Sequence, residues 1–135
     1  MAYFSDTAYG ADGVWISGDL TASDTAGAVF NWTNTEGCAV LVDKILIDIT
    51  TASTSACTLD AGYTATSTAT SSDTMIDGVN ANSTAVYNSM KEAGTGNAVW
   101  VVRAASGKYI TCSKKTGAAA GLAGKYYIHY KKVRP

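Results

Sequence analysis

Apolar residues return at every second position through most of this chain. In "CAVLVDKILIDIT" (38–50) the run settles into strict alternation at Ile45, Ile47 and Ile49, with Lys44 and Asp48 facing the other way, which is the pattern of a half-buried strand. "CTLDAGYTA" repeats it, with Cys57, Leu59, Ala61 and Tyr63 on one face and Thr58, Asp60 and Thr64 on the other. Further strands are predicted at 14–17, 28–34, 85–90, 98–104, 107–113 and 122–133, each rich in β-branched or aromatic residues and bounded by Gly, Ser or Asn. No window combines a 3.6-residue period with capping signals, so helix is limited to a single turn near 89–93. "ASGKY" (105–109) reads as the clearest tight turn, because Gly107 can supply a positive φ.

The pattern predicts an all-β fold, a β-sandwich of jelly-roll-like or Greek-key topology formed by a single domain over 14–135. The long connection 64–85 suits a crossing between two sheets better than a meander of hairpins. The expected core is Ile45, Ile47, Ile49, Leu59, Val99, Val101, Ile110 and Ile128, the period-two positions of the strongest strands. Residues 1–13 place Tyr3, Phe4 and Tyr9 among small residues with no period of their own, which predicts an extended N-terminal arm.

Composition adds the character of the surface. Charged residues make up 16% of the 135, well below the quarter usual in soluble domains, and Thr, Ser, Gly and Ala fill the difference. The segment "TATSTATSSD" (64–73) concentrates small hydroxyl side chains that can bond backbone and leave little bulk to obstruct a neighbouring molecule. The N-terminal residues show no basic-then-apolar leader, and no apolar run approaches the ~20 residues that span a bilayer, so neither signal-directed export nor a membrane partner is expected.

Charge is laid out unevenly: residues 1–90 hold ten of the eleven acids and only Lys44 as a base, whereas 91–135 hold nine bases and only Glu92 as an acid. Either the last strands lie beside the first and the charges cancel internally, or the chain carries opposed faces suited to association. The pattern leaves both open.

Candidate chemistry is sparse. His129, in "KYYIHYKK", has no motif partner to make it a general base, and its expected role is structural. No G-x-S-x-G, H-E-x-x-H or P-loop occurs, and none of Asp43, Asp48, Asp60, Asp73 and Asp77 is selected as a catalytic pair, so an enzyme and a cofactor are not expected. "DGVNAN" (77–82) offers Asp77, Asn80 and Asn82 as oxygen ligands without the register or closing glutamate of a calcium loop, and reads as a turn. Cys38, Cys57 and Cys112 are odd in number and lack C-x-x-C spacing. They are expected to be buried, unpaired thiols; Cys38 and Cys57 lie on candidate neighbouring strands, so a bridge between them is the exception to expect first. The basic, aromatic C-terminal end "HYKKVRP" could touch phosphate, but a pI near 5.6 argues against a dedicated nucleic-acid partner. Trp15, Trp32 and Trp100 are expected in the core, with a ligand platform as the alternative.

Two stretches carry a likeness. "LIDITTASTSACTLDAGYTATSTATSSDTMIDGVNANSTAVYNS" (46–89) followed by "GKYITCSKKTGAAAGLAGKYYIHYKKV" (107–133) resembles small β-rich structural proteins of tailed bacteriophages. The resemblance implies a jelly-roll-like domain that decorates or cements a capsid. It would be assembled in the bacterial cytoplasm, commonly as a homotrimer, with itself and the major capsid protein as partners and no enzymatic residues. The alternative is a phage tail or fibre module that binds a host receptor or glycan. For contacts with other subunits the expected residues are Tyr3, Phe4 and Tyr9 in the arm and Lys131, Lys132 and Arg134 at the basic end.

Overall fold

The computed structural model describes residues 13–22, 28–66 and 72–133. Among them nine strands follow in chain order: β1 (Val14–Asp19), β2 (Ala28–Thr33), β3 (Val40–Thr51), β4 (Cys57–Thr64), β5 (Ile76–Asn80), β6 (Ala85–Asn88), β7 (Val102–Ala104), β8 (Tyr109–Gly117) and β9 (Ala123–Lys132). One helical turn, α1 (Ser89–Glu92), separates β6 from β7 at the place the sequence allows one. The fold is all-β, as expected.

Two antiparallel sheets pack face to face. The first has the order β1-β9-β3-β6 with β7 also on β3, and the second has the order β2-β8-β4-β5. On the free side of β3, β6 pairs with Leu46–Ile49 and β7 with Val40–Val42. Counted as one interrupted strand, β6 and β7 leave eight strands, and every link between consecutive strands except β4–β5 crosses from one sheet to the other. That is a jelly roll. The interruption spans 43–45, where the Ile45 N–H donates to the buried Ser89 Oγ at 2.8 Å, so α1 satisfies a backbone donor in the gap between the two partner strands.

The alternation read from β3 is real but slips once. Val40 and Val42 face the core, a bulge between Val42 and Lys44 absorbs one residue, and Ile45, Ile47 and Ile49 then face the core. Leu59 and Ala61 of β4, Ile110 and Cys112 of β8 and Ile128 of β9 meet them from both sheets, all fully buried. Two aromatic pairs tie the sheets together: Phe30 stacks on Tyr126 with centroids 4.2 Å apart, and Trp32 on Tyr130 at 4.9 Å. Between β2 and β3, Asn34 is wholly buried. Its Nδ2 donates to the carbonyls of Cys38 (2.9 Å) and Ala104 (3.1 Å), and its Oδ1 accepts from the Glu36 N–H (3.0 Å). Gly107 has φ +77° in the expected turn, which Lys108 closes by donating its N–H to the Ala105 carbonyl.

Several expectations are corrected. Val99 and Val101 are each 46% exposed and lie outside the core, because only 102–104 of the expected strand pairs with β3. Trp15 and Trp100 are exposed as well, so only Trp32 packs as expected. The connection 64–85 is not one long loop, since β5 forms a hairpin with β4 before the chain crosses to β6. Cys38 sits beside β3 in the first sheet and Cys57 in the second, so they are not on neighbouring strands; all three cysteines are free thiols, and Cys38 is only partly buried.

Part of the charge cancels internally among the described residues. Because β9 runs between β1 and β3, its bases meet acids from early in the chain: Lys125 with Asp19 and Lys132 with Glu36, both at 2.7 Å, and His129 with Asp43 at 2.6 Å. In the second sheet Lys115 of β8 pairs with Asp77 of β5. The Lys125–Asp19 pair is largely exposed and contributes orientation more than stability.

Candidate interaction surface

The outward face of the first sheet is where chemistry-bearing residues collect. Antiparallel register sets Trp15 of β1 opposite His129 of β9 and His129 opposite Lys44 of β3. The bulge at 42–44 re-aims Asp43 so that its Oδ1 lies 2.6 Å from His129 Nδ1. The Trp15 ring lies 4.7 Å from the imidazole, and Lys44 Nζ stands 5.5 Å from the Trp15 centroid. Gly13, with φ +79°, leads into β1 so close to the imidazole that any Cβ there would collide with it. His129 is only 7% exposed under this cover, an arrangement that cross-links three strands rather than one that presents a base to substrate.

One row further along, register places Lys131 of β9, Leu41 of β3 and Arg103 of β7 side by side. All three are exposed, and neither cation has an ion-pair partner among the described residues. Lys132, next along β9, points to the other face and is held by Glu36. That carboxyl also accepts the Tyr130 hydroxyl, and Lys132 together with Tyr130 holds it below the usual carboxylate range. The two expected interface lysines thus divide, Lys131 facing outward and Lys132 bonded within the fold. Tyr3, Phe4, Tyr9 and Arg134 lie outside the described residues.

Among the described residues, the longest unbroken run of exposed large apolar side chains includes two that the sequence predicts for the core. Val99, Trp100 and Val101 are 46%, 60% and 46% exposed in direct succession. They are not a loose tip. The Val99 N–H donates to the Thr74 carbonyl at 2.7 Å, Ala98 is buried, and the preceding turn is closed by Gly94 N–H to the Ala98 carbonyl. Asn97 bonds Asp77 through its backbone (3.0 Å) and Asp73 through its side chain (2.7 Å). On the other flank β7 begins at Val102. Val86 on β6 and Met90 on α1 are also exposed on this side of β3. Five successive apolar residues, "AVWVV" at 98–102, were the available signal: such a run does not alternate and so specifies no inward face.

The oxygens of 77–82 do not converge. Asp77 takes Lys115 and the Asn97 N–H, which hold its carboxyl below its usual range, Asn80 Oδ1 accepts the Asn82 N–H at 2.9 Å, and the Asn82 amide donates to the Ser53 carbonyl. Among the described residues no group of three or more His, Cys, Asp or Glu side chains is placed to hold a metal. Burial pushes the thiols of Cys57 and Cys112 upward, which favours their protonated form. In comparisons with protein-family models, curated proteins and solved structures, nothing matched this chain.

Proposed function

We propose that this protein is a non-enzymatic structural subunit that decorates or cements the capsid of a tailed bacteriophage, acting as a homo-oligomer, most simply a homotrimer, on the virion surface. The observation that supports a binding role is the run Val99–Trp100–Val101, apolar, exposed and fixed at both ends. Covering these side chains on a partner is worth roughly 4 kcal/mol by transfer values, given that each is about half exposed. Because hydrogen bonds already hold the segment, little of that is lost to ordering on binding. The phage setting itself rests on the resemblance of 46–89 and 107–133, and the jelly roll is a fold shared by capsid and lectin domains.

Exposure of Trp15 and Trp100 favours a second reading, a tail or fibre module that stacks a receptor glycan on an indole. In the sheet order β9 and β3 separate Trp15 from β7, which Trp100 precedes, so each indole would act alone. Mass spectrometry of purified heads and tails from the phage that encodes the chain separates the readings. Many copies on heads support decoration, copies on tails support the second reading, and absence from both refutes the two together.

A further inference from the structure

Charge on the outward face of the first sheet is sorted along its strands. At one end, register aligns Asp19 of β1, Lys125 of β9 and Asp48 of β3, two acids about one base. Toward the other end Lys131, Leu41 and Arg103 stand side by side, two bases on strands that flank β3 at roughly 4.8 Å. Between the ends, Asp43 is held by His129 and Lys44 lies against Trp15. The second sheet is different: residues 72–74 close over its outward face, where Thr74 Oγ1 accepts the Tyr63 N–H at 3.0 Å, a Cβ on Gly62 would strike Thr74, and Thr111 beside Gly62 is fully buried. The first sheet presents Trp15, Leu41 and Val86 instead, 50%, 39% and 67% exposed.

A face that is acidic at one end and basic at the other is complementary to itself turned end for end. We propose that the outward face of the first sheet is a two-fold interface between two copies of this chain, with Asp48 of each seated between Lys131 and Arg103 of the other. The register specifies the fit. A two-fold axis that crosses the strands between Leu46 and Lys44 lays β3 antiparallel over its own copy, so Asp48 comes opposite Leu41, with Lys131 on β9 to one side and Arg103 on β7 to the other. Val86, beside Asp48 in register, then covers the stem of Arg103, and Trp15 meets the row that holds Ser17 and Tyr127. Lys125 approaches Lys131 in this pair, but each has an acid beside it: Asp19 at 2.7 Å for Lys125, and the incoming Asp48 for Lys131. Facing sheets pack about 10 Å apart with strand directions within about 30°, a range over which long Lys and Arg side chains keep Asp48 in reach. An unrelated acidic partner would answer only the basic row, whereas a second copy uses both ends of the face at once. The proposal goes beyond the capsid reading, because a two-fold pair needs no shell and can equally join copies of adjacent rings.

Full-length chains and sedimentation equilibrium test it. Asp48→Lys reverses the acidic end and Lys131→Glu with Arg103→Glu reverses the basic end, and circular dichroism with a thermal melt verifies folding of each variant. The wild type should dimerise, each variant alone should associate at least about tenfold more weakly because every pair holds the contact twice, and an equimolar mixture of the two should recover dimers. In the mixed pair the introduced lysine meets the introduced glutamates while the second contact is native. Recovery therefore requires that these positions face one another across copies. Should Asp48→Lys fail to fold, Asp48→Asn takes its place, and dimerisation should then weaken and lose most of its salt dependence; a salt dependence equal to the wild type would count against the proposal. A monomeric wild type, a variant of unchanged association, or loss that mixing fails to restore each overturns it. Copies on heads with a monomer in solution would keep the capsid reading and remove this one, and a dimer absent from heads would do the reverse.

Discussion

Replacing Asn34 by alanine should destabilise the fold more than any other polar substitution among the described residues. The side chain is wholly buried and makes three hydrogen bonds, at 2.9, 3.1 and 3.0 Å. Their losses differ. Ala104 is fully buried in the β3–β7 ladder, so water could not replace the bond that its carbonyl loses, costing about 1–3 kcal/mol. Cys38 and Glu36 are only half-buried, and their freed backbone groups should cost about 0.5–1.5 kcal/mol each. The sum, about 2–6 kcal/mol, corresponds to a fall of roughly 1–3 M in the urea midpoint at an m-value of about 2 kcal/mol/M. Asn80→Ala is the control, because its Oδ1 accepts one N–H in an exposed turn, and its loss should be below about 1 kcal/mol. Urea unfolding followed by tryptophan fluorescence, at constant m, gives both values. If Asn34→Ala shifted the midpoint no more than Asn80→Ala, the assignment of Asn34 as the bond hub joining β2, β3 and β7 would fail.

Ile47→Ala should cost about 2–5 kcal/mol, whereas Val99→Ala should stay within about 0.5 kcal/mol; equal losses in thermal melts would return Val99 to the core. Glu36, whose carboxyl is held low by Lys132 and Tyr130, adds stability that is present above its unfolded pKa of about 4.3 and fades as pH falls through the lower folded value. Glu36→Gln should therefore flatten the urea midpoint between about pH 5 and pH 3, and an unchanged acid limb would contradict the pairing. With native protein, a thiol reagent should modify Cys38 quickly and Cys57 and Cys112 only on unfolding; rapid reaction at Cys112 would show that its strand opens.

The core was legible wherever side chains alternate against a single sheet. Ile45, Ile47, Ile49, Leu59, Ile110 and Ile128 are all buried as the period requires. Where the sheet departs from strict pairing, the period misleads. In β5, Ile76 and Val79 are both buried although three residues apart, because a register shift beside Leu59 and the positive φ of Gly78 insert a residue, so the stretch reads as a loop. The bulge at 42–44 hid the pairing of Asp43 with His129 in the same way. Apolar type alone placed Val99 and Val101 inside, yet pairing at 102–104 and the bond from Val99 to Thr74 leave them outside. Charge was legible only in sum: which acid meets which base depended on β9 lying between β1 and β3.

Rebinding to capsids tests the central claim most directly. Full-length protein is added to heads purified without it, and occupancy is read by co-sedimentation for the wild type and for Val99→Ser/Trp100→Ser/Val101→Ser. The wild type should saturate the heads. The triple variant, whose melting temperature should match the wild type because these residues are exposed, should lose at least tenfold in apparent affinity, since about 4 kcal/mol of apolar burial is at stake. Equal occupancy by the variant, or no binding by the wild type, would contradict the account.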